Sequence, residues 1–176
     1  MNSISDPFSV AQLVGYAAMF VSLSAYAMRE DKMMKIGVGL GLVLWAWHYA
    51  MLSAWTASVI CLLIASRQIL AFFAPTLSIS ARYAVTAVYY LLFTGVLWQT
   101  WAGSVSLLPW ISAINATYAY FYLKGMRLRA QVMLSTGLWL LNAMVLGSIG
   151  GVVMNAASLG ISLWTIVRLK RAATVL

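Results

Sequence analysis

The cations of this chain are gathered into four groups that are separated by long apolar stretches. Each stretch is long enough to cross a bilayer twice. Short loops rich in Lys and Arg stay in the cytoplasm, so threading the chain as seven helices puts every cation on that side of a membrane. The pattern predicts an integral membrane protein with its N-terminus outside and its C-terminus in the cytoplasm. The eleven cations are Arg29, Lys32, Lys35, Arg67, Arg82, Lys124, Arg127, Arg129, Arg168, Lys170 and Arg171.

The composition excludes a soluble protein of this size. Of the 176 residues, 64% are hydrophobic and 8% are charged, too few charges to cover the surface of a soluble domain. The net charge of +8 does not indicate nucleic acid, because the cations sit in small groups at predicted helix ends, where they meet anionic head groups. Seven spans use nearly the whole length, which leaves no room for a soluble catalytic domain.

The hydropathy and the turn signals divide residues 1–176, a single transmembrane domain, into seven spans. The connections are short, so neighbouring helices are expected to pack antiparallel. The Ala74-Pro75 loop ends the third span, because proline disfavours helix in the residue before it. The predicted spans cover residues 10–28, 35–53, 55–73, 82–100, 104–123, 130–146 and 149–169.

The second half of the chain repeats the first at a shift of 94 positions. The shift aligns Trp45 with Trp139 and His48 with Asn142. It also aligns the basic turns and the tight turns of the first half with those of the second. One odd helix between two triplets keeps the triplets parallel, related by an axis along the membrane normal. The prediction is an all-α 3+1+3 arrangement, with a first repeat over about 10–73, a linker helix over about 82–100 and a second repeat over about 104–169.

The 3+1+3 plan with an outside N-terminus resembles the SWEET/PQ-loop (MtN3-like) group of transporters. The stretch 139–151, which ends in a Gly-Ser-Ile-Gly-Gly turn, is similar, with Asn155 and Arg168, to the YgjV-type proteins of the bacterial inner membrane. That resemblance implies a multi-pass inner-membrane protein. In SWEET-like proteins paired tryptophans and asparagines line a central cavity, so the resemblance implies that Trp45, Trp139 and Asn155 bind the solute. The chain departs from the SWEET class in having no proline inside its first span.

Four further polar residues lie within the predicted spans. Asn115 and Asn142 need partners in hydrocarbon, so they face the bundle interior, where they either contact the solute or join helices. His48, the one histidine, is either a proton carrier in contact with the solute or a structural residue held by a backbone or hydroxyl partner. Arg67 either snorkels to the cytoplasmic surface or lies in the cavity, where it favours an anionic or carbonyl-bearing solute.

These features favour a transporter that moves a small polar or amphiphilic solute by alternating access. Facilitated diffusion is expected, because the three acids, Asp6, Glu30 and Asp31, lie outside the hydrocarbon. The alternative is a non-transporting scaffold or assembly factor. No catalytic constellation, metal-ligand set or cofactor motif is evident, so neither an enzyme nor a metal or cofactor site is expected. The expected partners are the solute and membrane lipid, without nucleic acid; a homo-oligomer is compatible with the sequence.

Overall fold

The computed structural model describes residues 6–27, 31–73, 76–123 and 125–174 of the chain. These residues form seven α-helices, one short 3-10 helix and no β-strand. The described part of the chain is therefore all-helical, as the sequence predicts. The Ala74-Pro75 loop and the cations Arg29 and Lys124 lie outside the described residues. The helices are α1 (Val10–Ala27), α2 (Asp31–Met51), α3 (Trp55–Phe73), α4 (Ile79–Gln99), α5 (Leu107–Tyr122), α6 (Gly125–Val145) and α7 (Ile149–Thr174), with the 3-10 helix at Ser104–Ser106.

The helix bounds agree with the predicted spans to within two residues, except that α2, α4 and α6 begin early and α7 ends five residues late, all at the basic end, and α5 begins three residues late, after the 3-10 helix. α3 has the predicted bounds, whereas α2 begins four residues and α6 five residues before the predicted spans, at Asp31 and Gly125. Hydropathy marks the edge of the apolar region, but the helical hydrogen bonds continue through polar residues, many of which favour helix. α4 also begins early, where the Ser78 side chain accepts a hydrogen bond from the backbone N–H of Ala81 at 3.2 Å.

Consecutive helices run antiparallel, because later positions on one helix contact earlier positions on the next. Two hydrogen bonds between α1 and α2, and two between α4 and α5, show the antiparallel direction. They join Trp45 to Ser22 and His48 to Ala11 between α2 and α1, and Thr86 to Tyr122 and Thr94 to Trp110 between α4 and α5.

Two contacts between non-consecutive helices close the bundle. α1 packs against α7, and α3 packs against α5. Between α3 and α5, Thr56 hydrogen-bonds to Ser106 and Arg67 to Thr117. Because the later residue of α3 contacts the later residue of the α5 segment, the two helices run parallel. α1, α2, α3, α5, α6 and α7 thus form a continuous ring of contacts, and α4 packs mainly against α3 and α5.

The turns between α2 and α3 and between α6 and α7 have the same backbone geometry. Ser53 and Gly147 occupy equivalent left-handed positions, with φ of 57° and 66°. Each turn also has a backbone N–H that bonds back five residues, from Ala54 to Tyr49 and from Ser148 to Ala143, at 2.9 Å in both cases. We call the end of the bundle with these turns the turn end. The opposite end, where Arg82, Arg127 and Arg129 lie, is the basic end.

The outer surface of the described bundle is strongly apolar. Many large hydrophobic side chains are exposed, among them Leu91 at 74% and Trp98 at 85%. α4 is long and apolar enough to cross a membrane by length and composition, and shorter apolar stretches lie at Val10–Ser24, Trp55–Leu70 and Ile149–Trp164. An apolar surface of this extent is what lipid covers and what a soluble monomer avoids.

Candidate functional site

A cavity of about 520 Å³ lies inside the ring of helices. Residues from α1, α2, α3, α5, α6 and α7 line it, and none of its lining residues comes from α4. The volume falls in the range of small-molecule binding sites. Among the described residues, four of the predicted site residues line the cavity: Trp45, Arg67, Trp139 and Asn155.

Three stacked aromatic rings bound the cavity toward the turn end. Tyr49 lies between the two tryptophans, with its ring centroid 5.9 Å from that of Trp45 and 5.6 Å from that of Trp139, and both pairs are stacked. The Trp45 indole N–H donates a hydrogen bond to the Ser22 hydroxyl at 3.2 Å, which joins α2 to α1. The paired tryptophans therefore do not face each other across open space, because Tyr49 separates them.

Sequence reasoning missed Tyr49, which is 2% exposed. It lies four residues after Trp45 on α2, and residues at that spacing share a helix face. That spacing is the signal that could have placed Tyr49 beside the cavity. The Asn142 side chain lies beside the tyrosine, so a second residue of α6, besides Trp139, contacts the stack.

The walls of the cavity between the aromatic stack and the basic end carry hydroxyl and amide groups. Asn155 donates from Nδ2 to the Gly151 carbonyl oxygen at 2.8 Å, which holds its side chain against its own helix. The seam between α5 and α6 is polar as well. Ser112 and Ser135 each donate a hydroxyl hydrogen bond to the other's carbonyl oxygen, at 3.1 and 3.2 Å. The cavity is thus amphiphilic, with aromatic rings at one end and small polar groups along its walls.

Arg67 is turned into the bundle. The side chain is 1% exposed, which excludes the snorkelling geometry that the sequence left open. Its Nη1 donates to the Thr117 hydroxyl at 2.9 Å, and its guanidinium carbon lies 5.1 Å from the centroid of the Tyr120 ring. The Nε atom is buried and has no hydrogen-bond partner in the described part of the chain.

His48 does not line the cavity, although it is fully buried at the turn end. Nδ1 lies 2.7 Å from the Ala11 carbonyl oxygen, and Nε2 lies 2.6 Å from the Ser148 hydroxyl. A carbonyl only accepts, so a neutral ring donates from Nδ1 and accepts at Nε2. This geometry is that of the structural histidine, held by a backbone and a hydroxyl partner, which ties α1 and α2 to the turn before α7.

A second buried residue at the turn end, Gln12, was not singled out from the sequence. It donates from Nε2 to the Gly147 carbonyl oxygen at 2.6 Å and accepts at Oε1 from the Ile149 N–H at 3.1 Å. The amide therefore satisfies backbone groups at the start of α7, which would otherwise lack partners. We call Gln12, His48 and Ser148 the turn-end clasp, because together they join α1, α2 and α7.

The other two predicted asparagines lie beside the cavity and do not line it. Asn115 donates from Nδ2 to the Gln131 carbonyl oxygen at 2.7 Å and to the Ser135 hydroxyl at 2.8 Å, so it joins α5 to α6. Asn142 is 1% exposed, and its Nδ2 has no hydrogen-bond partner among the described residues.

Within the described residues no group of three or more His, Cys, Asp or Glu side chains is arranged to hold a metal ion. Among the described residues, the cavity lining contains one cation, Arg67, one thiol, Cys61, and no carboxylate. Its chemistry is therefore suited to stacking and hydrogen bonding.

Comparisons with known proteins agree with a membrane location. A family model described as a bacterial inner membrane protein, Imp-YgjV, matches residues 9–173. The inner membrane protein YgjV of Escherichia coli (strain K12) is 26% identical over 162 residues, which are 92% of this chain and 85% of that protein. No solved structure matches the chain. Since the family model spans nearly the whole sequence, the chain belongs to the Imp-YgjV family of bacterial inner membrane proteins.

Proposed function

We propose that this protein is a transporter that moves a small polar or amphiphilic solute across the bacterial inner membrane. The observation that carries the proposal is the cavity of about 520 Å³, lined by residues from six helices. A scaffold or assembly factor has no need of such a space, since a bundle that only presents its surface is more stable when close-packed.

The proposed architecture is a pair of parallel triple-helix repeats, α1–α3 and α5–α7, joined by α4. The equivalent turns after α2 and α6 support it, as do the corresponding contacts of α1 with α7 and of α5 with α3. The cavity lining gives further support, because eight pairs of lining residues stand 94 positions apart. The pairs are Ser22/Ala116, Val38/Val132, Leu42/Thr136, Trp45/Trp139, Cys61/Asn155, Ile64/Ser158, Arg67/Ile161 and Gln68/Ser162.

This 3+1+3 arrangement is the basis on which we group the chain with the SWEET/PQ-loop transporters. One difference from the SWEET class, the lack of a proline inside the first span, affects the proposed mechanism. α1 has no proline in its interior, so the movement of the repeats cannot use a proline hinge there. We propose instead that the two triplets rock as units about their two contact lines, α1 with α7 and α3 with α5.

The proposed topology has the basic end in the cytoplasm, so that the N-terminus is outside and the C-terminus inside. It rests on the one-sided distribution of Lys and Arg. In this orientation the turn-end clasp closes the cavity toward the outside, and the cavity extends from the aromatic stack toward the cytoplasm. Opening to the outside would require the clasp to separate, with loss of the hydrogen bonds between α1 and the start of α7.

Facilitated diffusion is the proposed mode of transport, and no enzymatic step is part of the proposal. Coupling to protons or sodium ordinarily uses an intramembrane carboxylate, and the residues that line the cavity include none. His48, the one imidazole, has both ring nitrogens engaged in the clasp.

We assign solute contact to four residues that line the cavity: Trp45, Tyr49, Trp139 and Asn155. His48, Asn142 and Asn115 support the cavity from outside it.

Uptake into proteoliposomes that contain the purified protein tests the proposal. Radiolabelled polar solutes, neutral and anionic, are offered to wild-type, Trp139→Ala and Trp98→Ala proteins. Trp139 lines the cavity, whereas Trp98 is 85% exposed on α4 and serves as the matched control. We expect uptake of at least one solute by the wild type, a loss of affinity of about 1–3 kcal/mol for Trp139→Ala, and no change for Trp98→Ala. Absence of uptake for every solute tried would favour the scaffold.

A further inference from the structure

We infer that the cavity takes a solute with a carboxylate or similar anionic group, and that Arg67 holds this group. The inference rests on the proposed transport function, because it names the class of solute that the same cavity admits. The first observation is the position of Arg67, whose side chain is 1% exposed and lines the cavity between α3 and α5.

A buried guanidinium needs compensation, because it stays charged in proteins and loses its hydration on burial. The described surroundings of Arg67 supply little of it. One of its donors meets the Thr117 hydroxyl, and the Tyr120 ring offers a π face. Thr117 itself donates to the Ala113 carbonyl oxygen at 2.7 Å, so its hydroxyl acts toward Arg67 as a neutral acceptor. Nε is left without a partner among the described residues.

No acidic residue is among the described residues that line the cavity, so this part of the lining provides no counter-ion for Arg67. A guanidinium presents five N–H donors in a planar fork whose geometry matches a carboxylate. A solute anion in the cavity would provide the missing charge and acceptor atoms together. Arg67 therefore has the characteristics of a binding residue whose partner arrives with the solute.

The anionic contact is expected on one side of the cavity only. The position equivalent to Arg67 in the second half is Ile161, which also lines the cavity and carries no charge. Toward the turn end the cavity is bounded by aromatic rings, Tyr49 and Trp139 among them. The described lining thus matches a monoanion whose other end is apolar or aromatic, since Arg67 is the one cation among its described residues.

The test compares benzoate with benzamide, which have the same shape and differ in charge. Apparent dissociation constants come from the rise in unfolding temperature of the full-length protein in neutral detergent as each probe is added. We expect benzoate to bind about tenfold more tightly than benzamide to the wild type. The ratio should fall to near one in Arg67→Gln and to an intermediate value in Arg67→Lys, which keeps the charge and loses the fork.

Arg82→Gln is the matched control. Arg82 is also a cation bonded to one oxygen, the Leu77 carbonyl, but it does not line the cavity, so the ratio should stay at the wild-type value. Equal affinities for the two probes in the wild type, or a ratio that survives in Arg67→Gln, would overturn the inference. If Arg67→Gln does not fold, the wild-type ratio and the Arg67→Lys variant still decide the question.

Two other outcomes separate this inference from the transport proposal. Uptake of neutral solutes by proteoliposomes together with equal probe affinities would support the transport function and overturn the inference of an anionic solute. A benzoate preference that depends on Arg67, without uptake of any solute, would support the anion-binding site at Arg67 and contradict the transport function. Displacement of benzoate by short-chain phosphatidylglycerol, again without uptake, would assign the site to a lipid head group and overturn the inference of a solute.

Discussion

Two glycines allow close approaches at the turn end: Gly150 lets α7 approach α1, and Gly15 leaves room on α1 for the His48 ring of α2. A Cβ atom on Gly150 would lie 2.9 Å from the backbone carbon and oxygen of Gly15, and a Cβ on Gly15 would lie 2.8 Å from the His48 ring. Neither neighbour can move freely, since one is backbone and the other is held by two hydrogen bonds. These approaches explain why small residues are needed at both positions.

We therefore expect Gly150→Ala and Gly15→Ala each to destabilise the protein by about 1–3 kcal/mol, because the added methyl group forces the clasp apart. Thermal unfolding in detergent measures the effect. Gly39→Ala is the matched control, since nothing lies within 4 Å of a Cβ at that helical position, and alanine favours helix over glycine. Equal stabilities for all three variants would contradict the close approach.

Some residues that line the cavity could be predicted from the sequence, where a tryptophan or a cation stood far from the predicted span ends. Trp45 and Trp139, which the sequence predicts at mid-depth and 94 positions apart, both line the cavity, as does the isolated cation Arg67. Tyr49 could not be distinguished in the same way, because a tyrosine in an apolar run is as typical of packing as of binding. The signal for Tyr49 was its position four residues after Trp45, which places both rings on one face of α2.

The polar side chains at the turn end show a second limit of sequence reasoning. Whether a buried polar residue contacts solute or joins helices depends on which partner is within hydrogen-bond reach. His48 finds Ala11 and Ser148, which are far from it in sequence, and Gln12 finds the start of α7 in the same way. The sequence therefore left both roles open for His48 and gave no signal for Gln12.

At the scale of the elements, the turns after α2 and α6 are the most direct comparison between the two halves. Ser53 carries the steric cost of a left-handed backbone, and Gly147 avoids it. Neither position is buried, so packing contributes little to a substitution at either. We expect Ser53→Gly to stabilise the protein and Gly147→Ser to destabilise it, each by about 1 kcal/mol.

Thermal unfolding of the two variants measures these opposite shifts, and the double variant Ser53→Gly/Gly147→Ser should return close to the wild-type stability. Shifts of the same sign at the two turns would contradict their equivalence.

The helix bounds illustrate which part of an element hydropathy can predict. The bounds of α3 were predicted correctly, because its apolar run starts at a tight turn at Trp55 and ends at Phe73. At the basic ends of α2 and α6 the apolar pattern stops before the helix does. Polar and charged residues there continue the helix beyond the apolar segment, and no change in hydrophobic content marks the helix start.

For the whole molecule, the orientation in the membrane is a prediction that fusions can test. We expect green fluorescent protein fused after Leu176 to fluoresce, because the proposed topology puts the basic end in the cytoplasm. Alkaline phosphatase inserted at Gly103, in the connection between α4 and α5, should be active, because that connection lies at the opposite end. Active phosphatase at Leu176 would reverse the orientation.

We propose that the cavity is open to water from the basic end and closed at the turn end. Cys61 tests it, because it is the single cysteine of the chain and it lines the cavity. Labelling with a membrane-impermeant maleimide is followed in inside-out and right-side-out vesicles. Cys61→Ser gives the background, and Ser162→Cys in that background reports on a lining position further toward the basic end.

We expect Cys61 to be labelled in inside-out vesicles, more slowly than the thiol introduced by Ser162→Cys, since Cys61 is 2% exposed and lies deeper in the cavity. We also expect much slower labelling in right-side-out vesicles, where the clasp of Gln12, His48 and Ser148 stands between the reagent and the cavity. A Cys61 that reacts only after denaturation, from neither side of the native membrane, would show a sealed bundle and contradict the proposal.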